Sequence, residues 1–126
     1  MIVAIDFDGT IVEDKWPDIG VLQSCVADFI RFLQADDHTW ILWTMREGEK
    51  LQQAVDFCKA NGLYPNFVND NVDKLKEHFG NNPRKIYADI YIDDHFPLGI
   101  FDQVIRAYWA IGVDQVIKNA DIQTKP

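Results

Sequence analysis

Ile2-Val3-Ala4-Ile5 is an apolar run that stops abruptly at Asp6-Phe7-Asp8-Gly9-Thr10. A short run of β-branched and apolar residues reads as a buried strand. Continuous rather than alternating apolarity points to a parallel sheet covered on both faces. Acid is out of place at the end of a strand that is only structural. Two carboxylates spaced i, i+2 at the carboxyl end of a strand, with Gly9 turning the chain away, suit a cation or a phosphate held by a cation.

The rest of the chain repeats that pattern. Val21, Leu22, Cys25, Val26, Phe29, Ile30 and Leu33 recur at the spacing of an amphipathic helix. Thr39-Trp40-Ile41-Leu42-Trp43 is a second strand, ending in Thr44-Met45-Arg46. Leu51, Ala54, Val55 and Cys58 predict a helix over 47–61, stopped by Asn61-Gly62. A short third strand at 66–69 and a brief helix carrying Val72, Leu75 and Phe79 follow. A fourth strand is expected over 86–92, running into Asp93-Asp94-His95. Pro97 opens a last helix with Ile100, Phe101, Val104, Ile105, Tyr108 and Trp109 on one face, and Gly112 after it. Val116-Ile117 is read as a fifth short strand, and the tail to Pro126 is expected to fray. Alternating strands and helices predict an α/β fold: a Rossmann-like three-layer sandwich with a mostly parallel central sheet, one domain over 1–126.

The connection 11–20, containing Trp16-Pro17-Asp18, is a short polar flap that either packs on the core edge or overhangs the acidic site. Twenty acidic residues against 12 basic ones give a formal charge of −8. That balance argues against general binding to nucleic acid or anionic membranes, and favours a local cation wherever an anionic substrate must approach. Cys25 and Cys58 lack metal or redox spacing and read as reduced, buried thiols. No signal-peptide core or 18-residue apolar run occurs, so a cytoplasmic location is expected.

In a parallel sheet the ligand site lies beyond the carboxyl ends of the strands. Three such ends carry unusual polar residues: Asp6/Asp8, Thr44/Arg46 and Asp93/Asp94. Asp6, Asp8 and one or both of Asp93/Asp94 offer the hard oxygen ligands that Mg²⁺ prefers, whereas Zn²⁺ or copper would want more Cys or His. A carboxylate can attack phosphorus, and a second carboxylate two residues on can move protons. The Thr44 hydroxyl can donate to a phosphoryl oxygen, and a lysine can offset developing charge. Arg46 reads either as a fork for a substrate anion or as a surface arginine at a helix start. Asn69 and Asn71 read as turn formers at the same rim, Asp89 as an acid paired with Lys85, and His95 as a helix-entry residue beside Asp94.

Asp6-Phe7-Asp8-Gly9-Thr10, Thr44 ending the second strand, a lysine before the fourth strand and Asp93-Asp94 after it resemble, in order, the four motifs of the haloacid dehalogenase (HAD) superfamily. The resemblance covers the chain from Ile2 to about Asp94. It implies Mg²⁺-dependent phosphoryl transfer, with Asp6 as nucleophile and metal ligand and Asp8 as general acid/base. The main-chain carbonyl of Asp8 would join the metal shell, Thr44 would bind the phosphoryl group, and Asp93 and Asp94 would ligate metal. Of Lys74, Lys76 and Lys85, Lys85 fits the lysine motif best. Gly9, Thr10, Trp16 and Arg46 are the candidate substrate contacts. An acid at position 8 matches the phosphatase branches. The short connections leave no room for a cap domain, which implies an open site and makes a homo-oligomer plausible. The expected activity is phosphate monoester hydrolysis, with nucleic acid entering only as a phosphate substrate. The alternative is a non-catalytic phosphate- or metal-binding module, or a receiver-like one phosphorylated on Asp70 after the third strand.

Overall fold

The computed structural model describes the backbone over residues 1–124 and the side chains over residues 1–120. Ten elements follow in chain order: β1 (Ile2–Ile5), β2 (Val12–Lys15), β3 (Asp18–Leu22), α1 (Ser24–Ala35), β4 (Thr39–Leu42), α2 (Gly48–Ala60), β5 (Phe67–Val68), α3 (Asp73–Phe79), β6 (Ile90–Ile92) and α4 (Ile100–Thr124). The central sheet has the order β5-β4-β1-β6 and is parallel throughout, with Ile5 level with Leu42 on one side and Ile92 on the other. The chain steps outward from β1 to β4 and β5, then returns to β6 on the opposite side. The crevice between β1 and β6 is therefore the switch point at which such sheets bind ligands.

The two faces of the sheet are covered unequally. Val3, Ile5, Trp40, Leu42 and Ile92 join buried residues of α1, α2 and α4 in the main core. Ala4 and Ile41 face the other way, against Ile86 and Ala88. Burying roughly twenty apolar side chains in the main core supplies the driving force for the whole domain.

The fold matches the expected class, and four local expectations are corrected. Val21 and Leu22 belong to β3 and not to α1, because the flap folds into an antiparallel hairpin with Val12 opposite Leu22. Alternation within that hairpin happens to align with the helical spacing that follows it. The fourth strand shrinks to Ile90–Ile92: the Tyr91 hydroxyl donates to the Ile86 carbonyl (2.6 Å) and accepts from the Ala88 N–H (3.1 Å), holding 86–88 across the sheet face. Gly112 does not end the last helix, and Val116-Ile117 lie inside α4 rather than in a strand. Nor do the apolar residues of α4 share one face: Val104 is buried while Phe101, Ile105 and Trp109 are exposed. The end of the expected frayed tail, 125–126, lies outside the described residues. No helix among the described residues is long and apolar enough to cross a membrane.

Candidate active site

Residues at the carboxyl ends of β1, β4 and β6 meet around a cavity of about 330 Å³ lined by Asp6, Asp8, Asp14, Trp16, Thr44, Met45, Arg46, Asp93 and His95. A smaller recess of about 150 Å³ shares Asp6, Thr44, Met45 and Asp93, and adds Trp43. The three strand ends singled out in the sequence thus converge.

Asp6 is fixed through its backbone, whose N–H donates to the Ile92 carbonyl across the β1–β6 crevice (2.9 Å). Its carboxyl, those of Asp93 and Asp94, and the His95 ring offer ligand atoms that all lie within 4.8 Å of one another. Burial, a hydrogen bond with Asp94 and the charge of Asp93 push the Asp6 pKa up to about 8. A carboxyl so perturbed in a cleft is a candidate functional group. The physical cause is crowding: these acids have too little positive charge around them, which is the condition a divalent cation relieves. The charge of Asp94 and a hydrogen bond with Asp93 raise the pKa of His95, whose Nδ1 stands 3.1 Å from Asp94 and 3.3 Å from Asp93.

The turn after β1 explains its own sequence. Gly9 has φ +81°, and a Cβ there would run into the Asp94 carboxylate. The residue must therefore be glycine both for its backbone and for the acid packed against it. Thr10 is wholly buried and its hydroxyl accepts the Asp94 N–H (3.1 Å). It anchors the Asp93-Asp94 turn and does not reach the cavity, which corrects its assignment as a substrate contact. Buried Gln103 holds the same turn from α4, accepting from the Asp93 N–H (3.0 Å) and donating to the Asp93 carbonyl (2.9 Å). Sequence reasoning missed Gln103; its one signal was a polar residue in the inward register between Ile100 and Val104.

Asp8 is placed differently. Both its oxygens accept from Arg46, Nε to Oδ2 and Nη2 to Oδ1, each at 2.7 Å. Arg46 is 2% exposed and also donates to the carbonyls of Asp18 (3.0 Å) and Lys50 (3.4 Å). Its guanidinium lies between the rings of Phe7 (5.1 Å) and Trp16 (4.9 Å). Stacking and bidentate pairing are the two roles for which arginine is suited. Arg46 is thus neither a surface residue nor a free anion fork: Asp8 occupies it. The same pair removes the Asp8 carboxylate from the four-residue ligand group, which corrects its assignment as a side-chain metal ligand. The Asp8 main-chain carbonyl accepts no hydrogen bond among the described residues and remains available.

Thr44 stands at the rim with its N–H donating to Asn69 Oδ1 (2.7 Å). Its hydroxyl oxygen accepts from the Arg46 N–H (3.1 Å), and its own proton has no acceptor among the described residues. Trp16, at the tip of the β2–β3 hairpin, overhangs the cavity and is 57% exposed. Asn71 turns inward and is buried, donating to the Pro83 carbonyl (3.2 Å) and accepting from the Tyr87 N–H (2.8 Å), so it shapes 82–87 and not the cavity.

No lysine among the described residues lines either recess. Lys85 is exposed, Lys74 is exposed, and Lys76 pairs with Asp70 (2.6 Å). The lysine expected at the site is therefore not supplied by Lys85 in this structure. The reason is that Ile86 and Ala88 anchor the segment to the sheet face, leaving Lys85 to point to solvent. The expected Lys85–Asp89 pair is absent as well: Asp89 accepts from the Ile2 N–H (2.8 Å) and the Tyr87 hydroxyl (3.1 Å). Asp70, the acceptor required by a receiver-like reading, is bound by Lys76 and Asn82 and stands apart from the acidic group.

No family model matches the chain, and no curated protein matches it significantly. Among solved structures it is similar to a conserved protein coded by a locus of Bacteroides thetaiotaomicron, with 38% identity over 99% of this chain and 98% of that one, and a TM-score of 0.72. That description names no activity. At this identity across nearly the full length of both, the chain belongs to the family of that conserved Bacteroides protein.

Proposed function

We propose that the protein is a Mg²⁺-dependent phosphatase of the HAD type, hydrolysing a phosphate monoester through an aspartyl-phosphate on Asp6. The observation that carries this reading is the convergence of the Asp6, Asp93 and Asp94 oxygens at the β1–β6 crevice, where exposed His95 is the one cationic group among the described residues of that cluster. Carboxylate oxygens and the free Asp8 carbonyl are hard ligands that fit Mg²⁺, which also retains waters and substrate oxygens. Once bound, the ion supplies positive charge against the phosphoryl oxygens.

The side chains divide the remaining work. As substrate binds, Asp8 lets go of one Arg46 hydrogen bond and takes up a proton from solvent. A carboxylate oxygen of Asp6 then forms a bond to phosphorus as the bond from phosphorus to the leaving oxygen breaks, and that oxygen takes the proton from Asp8. Water then attacks the phosphorus of phospho-Asp6, Asp8 takes the proton back, and inorganic phosphate leaves with Asp6 restored. The Arg46 fork holds Asp8 by both oxygens. Asp8 must therefore release one of them to exchange a proton, while the other keeps it aimed. Thr44, with its hydroxyl proton unclaimed, donates to a phosphoryl oxygen. Trp16 and the almost fully exposed Met45 form an apolar lip beside the acids, against which the organic part of the ester rests.

The test is hydrolysis of p-nitrophenyl phosphate with Mg²⁺ and with a chelator. Turnover that needs Mg²⁺ and disappears in Asp6→Asn and Asp8→Asn is expected. Wild-type rates persisting in folded Asp6→Asn protein would remove the proposal.

A further inference from the structure

Helix α4 is apolar on two opposite sides. One side, with Val104, Ala107 and Ile111, is buried in the main core. The other presents Phe101 (64% exposed), Ile105 (49%), Trp109 (72%), Val113 (36%), Val116 (67%) and Ile117 (56%). These residues recur at i, i+4, i+8, i+12, i+15 and i+16, the spacing of a single helix face. A helix on the surface of a domain ordinarily carries one apolar stripe, turned to the core, with polar residues opposite it. Asp114 and Lys118 lie off this face: they pair with each other at 2.9 Å and line a recess with Met1 and Ile2 on the inner side.

Both the extent and the shape of the face indicate its occupant. Scaling the exposed fractions by side-chain areas of about 150–250 Å² for the aromatic residues, and somewhat less for the aliphatic ones, leaves on the order of 500–700 Å² per chain. That approaches the roughly 800 Å² each partner contributes to a standard specific interface. The Trp109 indole projects beside a groove of about 410 Å³ lined by Trp109, Gly112, Val113, Val116 and Ile117. A side chain built on Gly112 would meet nothing within 4 Å. A knob and a hollow three residues apart on one face make it self-complementary under a two-fold rotation, as an isologous contact requires. An exposed tryptophan among aliphatic residues, with exposed Asp102 and Arg106 beside it on the helix, is the composition of an aromatic interface anchor flanked by polar groups.

We propose that this face of α4 pairs with the same face of a second copy of the chain, antiparallel about a two-fold axis near Trp109 and Gly112. Each indole fills the hollow over the other copy's Gly112. The pairing is independent of the phosphatase reading, since none of these residues lines the acidic cavity.

Sedimentation velocity on the full chain, from roughly 1 to 100 µM, tests it. The wild type is expected at twice the chain mass. Trp109→Asp and Gly112→Leu, the second filling the hollow, should each weaken association by about 100-fold while keeping the wild-type circular dichroism. Tyr64→Asp, an exposed aromatic off this face, should leave the dimer intact. Should Trp109→Asp fail to fold, Gly112→Leu still decides. A wild type at the single-chain mass throughout, or a dimer indifferent to the α4 variants, would overturn the proposal.

Discussion

Asp6 and Asp8 leave the same strand two residues apart and meet opposite surroundings. Asp6 turns into the β1–β6 crevice, where Asp93 and Asp94 crowd it and its pKa climbs to about 8. Asp8 turns toward β4, where buried Arg46 takes both its oxygens and is itself flanked by Phe7 and Trp16. One carboxylate lacks a counter-charge and the other is fully matched. The difference follows from strand geometry, since neighbouring strands lie about 4.8 Å apart and each supplies what stands at its own end. It shows that the Asp6–Asp8 pair is two half-sites: one carboxylate is left without a matching counter-charge, and the other is closed by an arginine that the same chain provides.

The sharpest way to break this contrast is to delete one partner on each side. Arg46→Ala leaves a half-buried carboxylate unpaired and a void between two rings. It should cost about 3–5 kcal/mol of stability, seen as a fall of about 10 °C or more in the thermal midpoint. Asp6→Asn should do the reverse in chelator-treated protein, raising the midpoint by a few degrees as it relieves the repulsion among three acids. If both variants destabilise alike, the two corners do not differ as described.

Gly9→Ala comes next. The positive φ and the encroachment on Asp94 together should cost about 1–3 kcal/mol and displace one of the acids from the metal group. In urea titrations the loss should appear with or without Mg²⁺, and Mg²⁺ affinity by calorimetry should fall about tenfold or more.

Mg²⁺ itself should stabilise the wild type by about 2.7 kcal/mol at a hundredfold excess over its dissociation constant. Thermal shifts in Asp93→Asn and Asp94→Asn protein should show most of that gain gone, whereas Lys85→Ala should retain it.

The pH dependence separates the two corners further. Asp6 holds its proton up to about 8 in the folded chain but only to about 4 when unfolded. Metal-free protein should therefore lose stability as pH rises from about 4, with the loss levelling off above about 8. Mg²⁺ binding must expel that proton, so its affinity should strengthen across the same window. Denaturation curves at several pH values should show the slope in wild type and its absence in Asp6→Asn.

Much of the site was legible because its residues are local to strand ends. An apolar run broken by acid marks Asp6 and Asp93-Asp94 without knowledge of which strands are neighbours. Asn61-Gly62 marks the end of α2 by the backbone chemistry of a helix stop, and Gly62 does adopt φ +76°. The pairing of Arg46 with Asp8 was not legible, since it joins residues 38 apart in the chain and depends on which way a side chain leaves its turn. The hairpin over 12–22 was hidden because its alternating residues run into the spacing of α1. Gly112 looked like a helix stop, but a glycine inside a helix costs only about 1 kcal/mol, which the burial of Ile111 beside it offsets. Gln103 resembled any polar residue of a helix until the Asp93 turn was seen to need both its amide groups.

The central claim is that Asp6 is the residue that carries the phosphoryl group. Wild-type protein incubated with Mg²⁺ and a phosphate monoester, quenched with borohydride and mapped by mass spectrometry, reports it directly, because reduction converts an aspartyl-phosphate to homoserine. Homoserine at position 6, dependent on both substrate and Mg²⁺ and missing in Asp6→Asn, is the expected result. An unmodified Asp6 during turnover, or homoserine at position 70 instead, would contradict it.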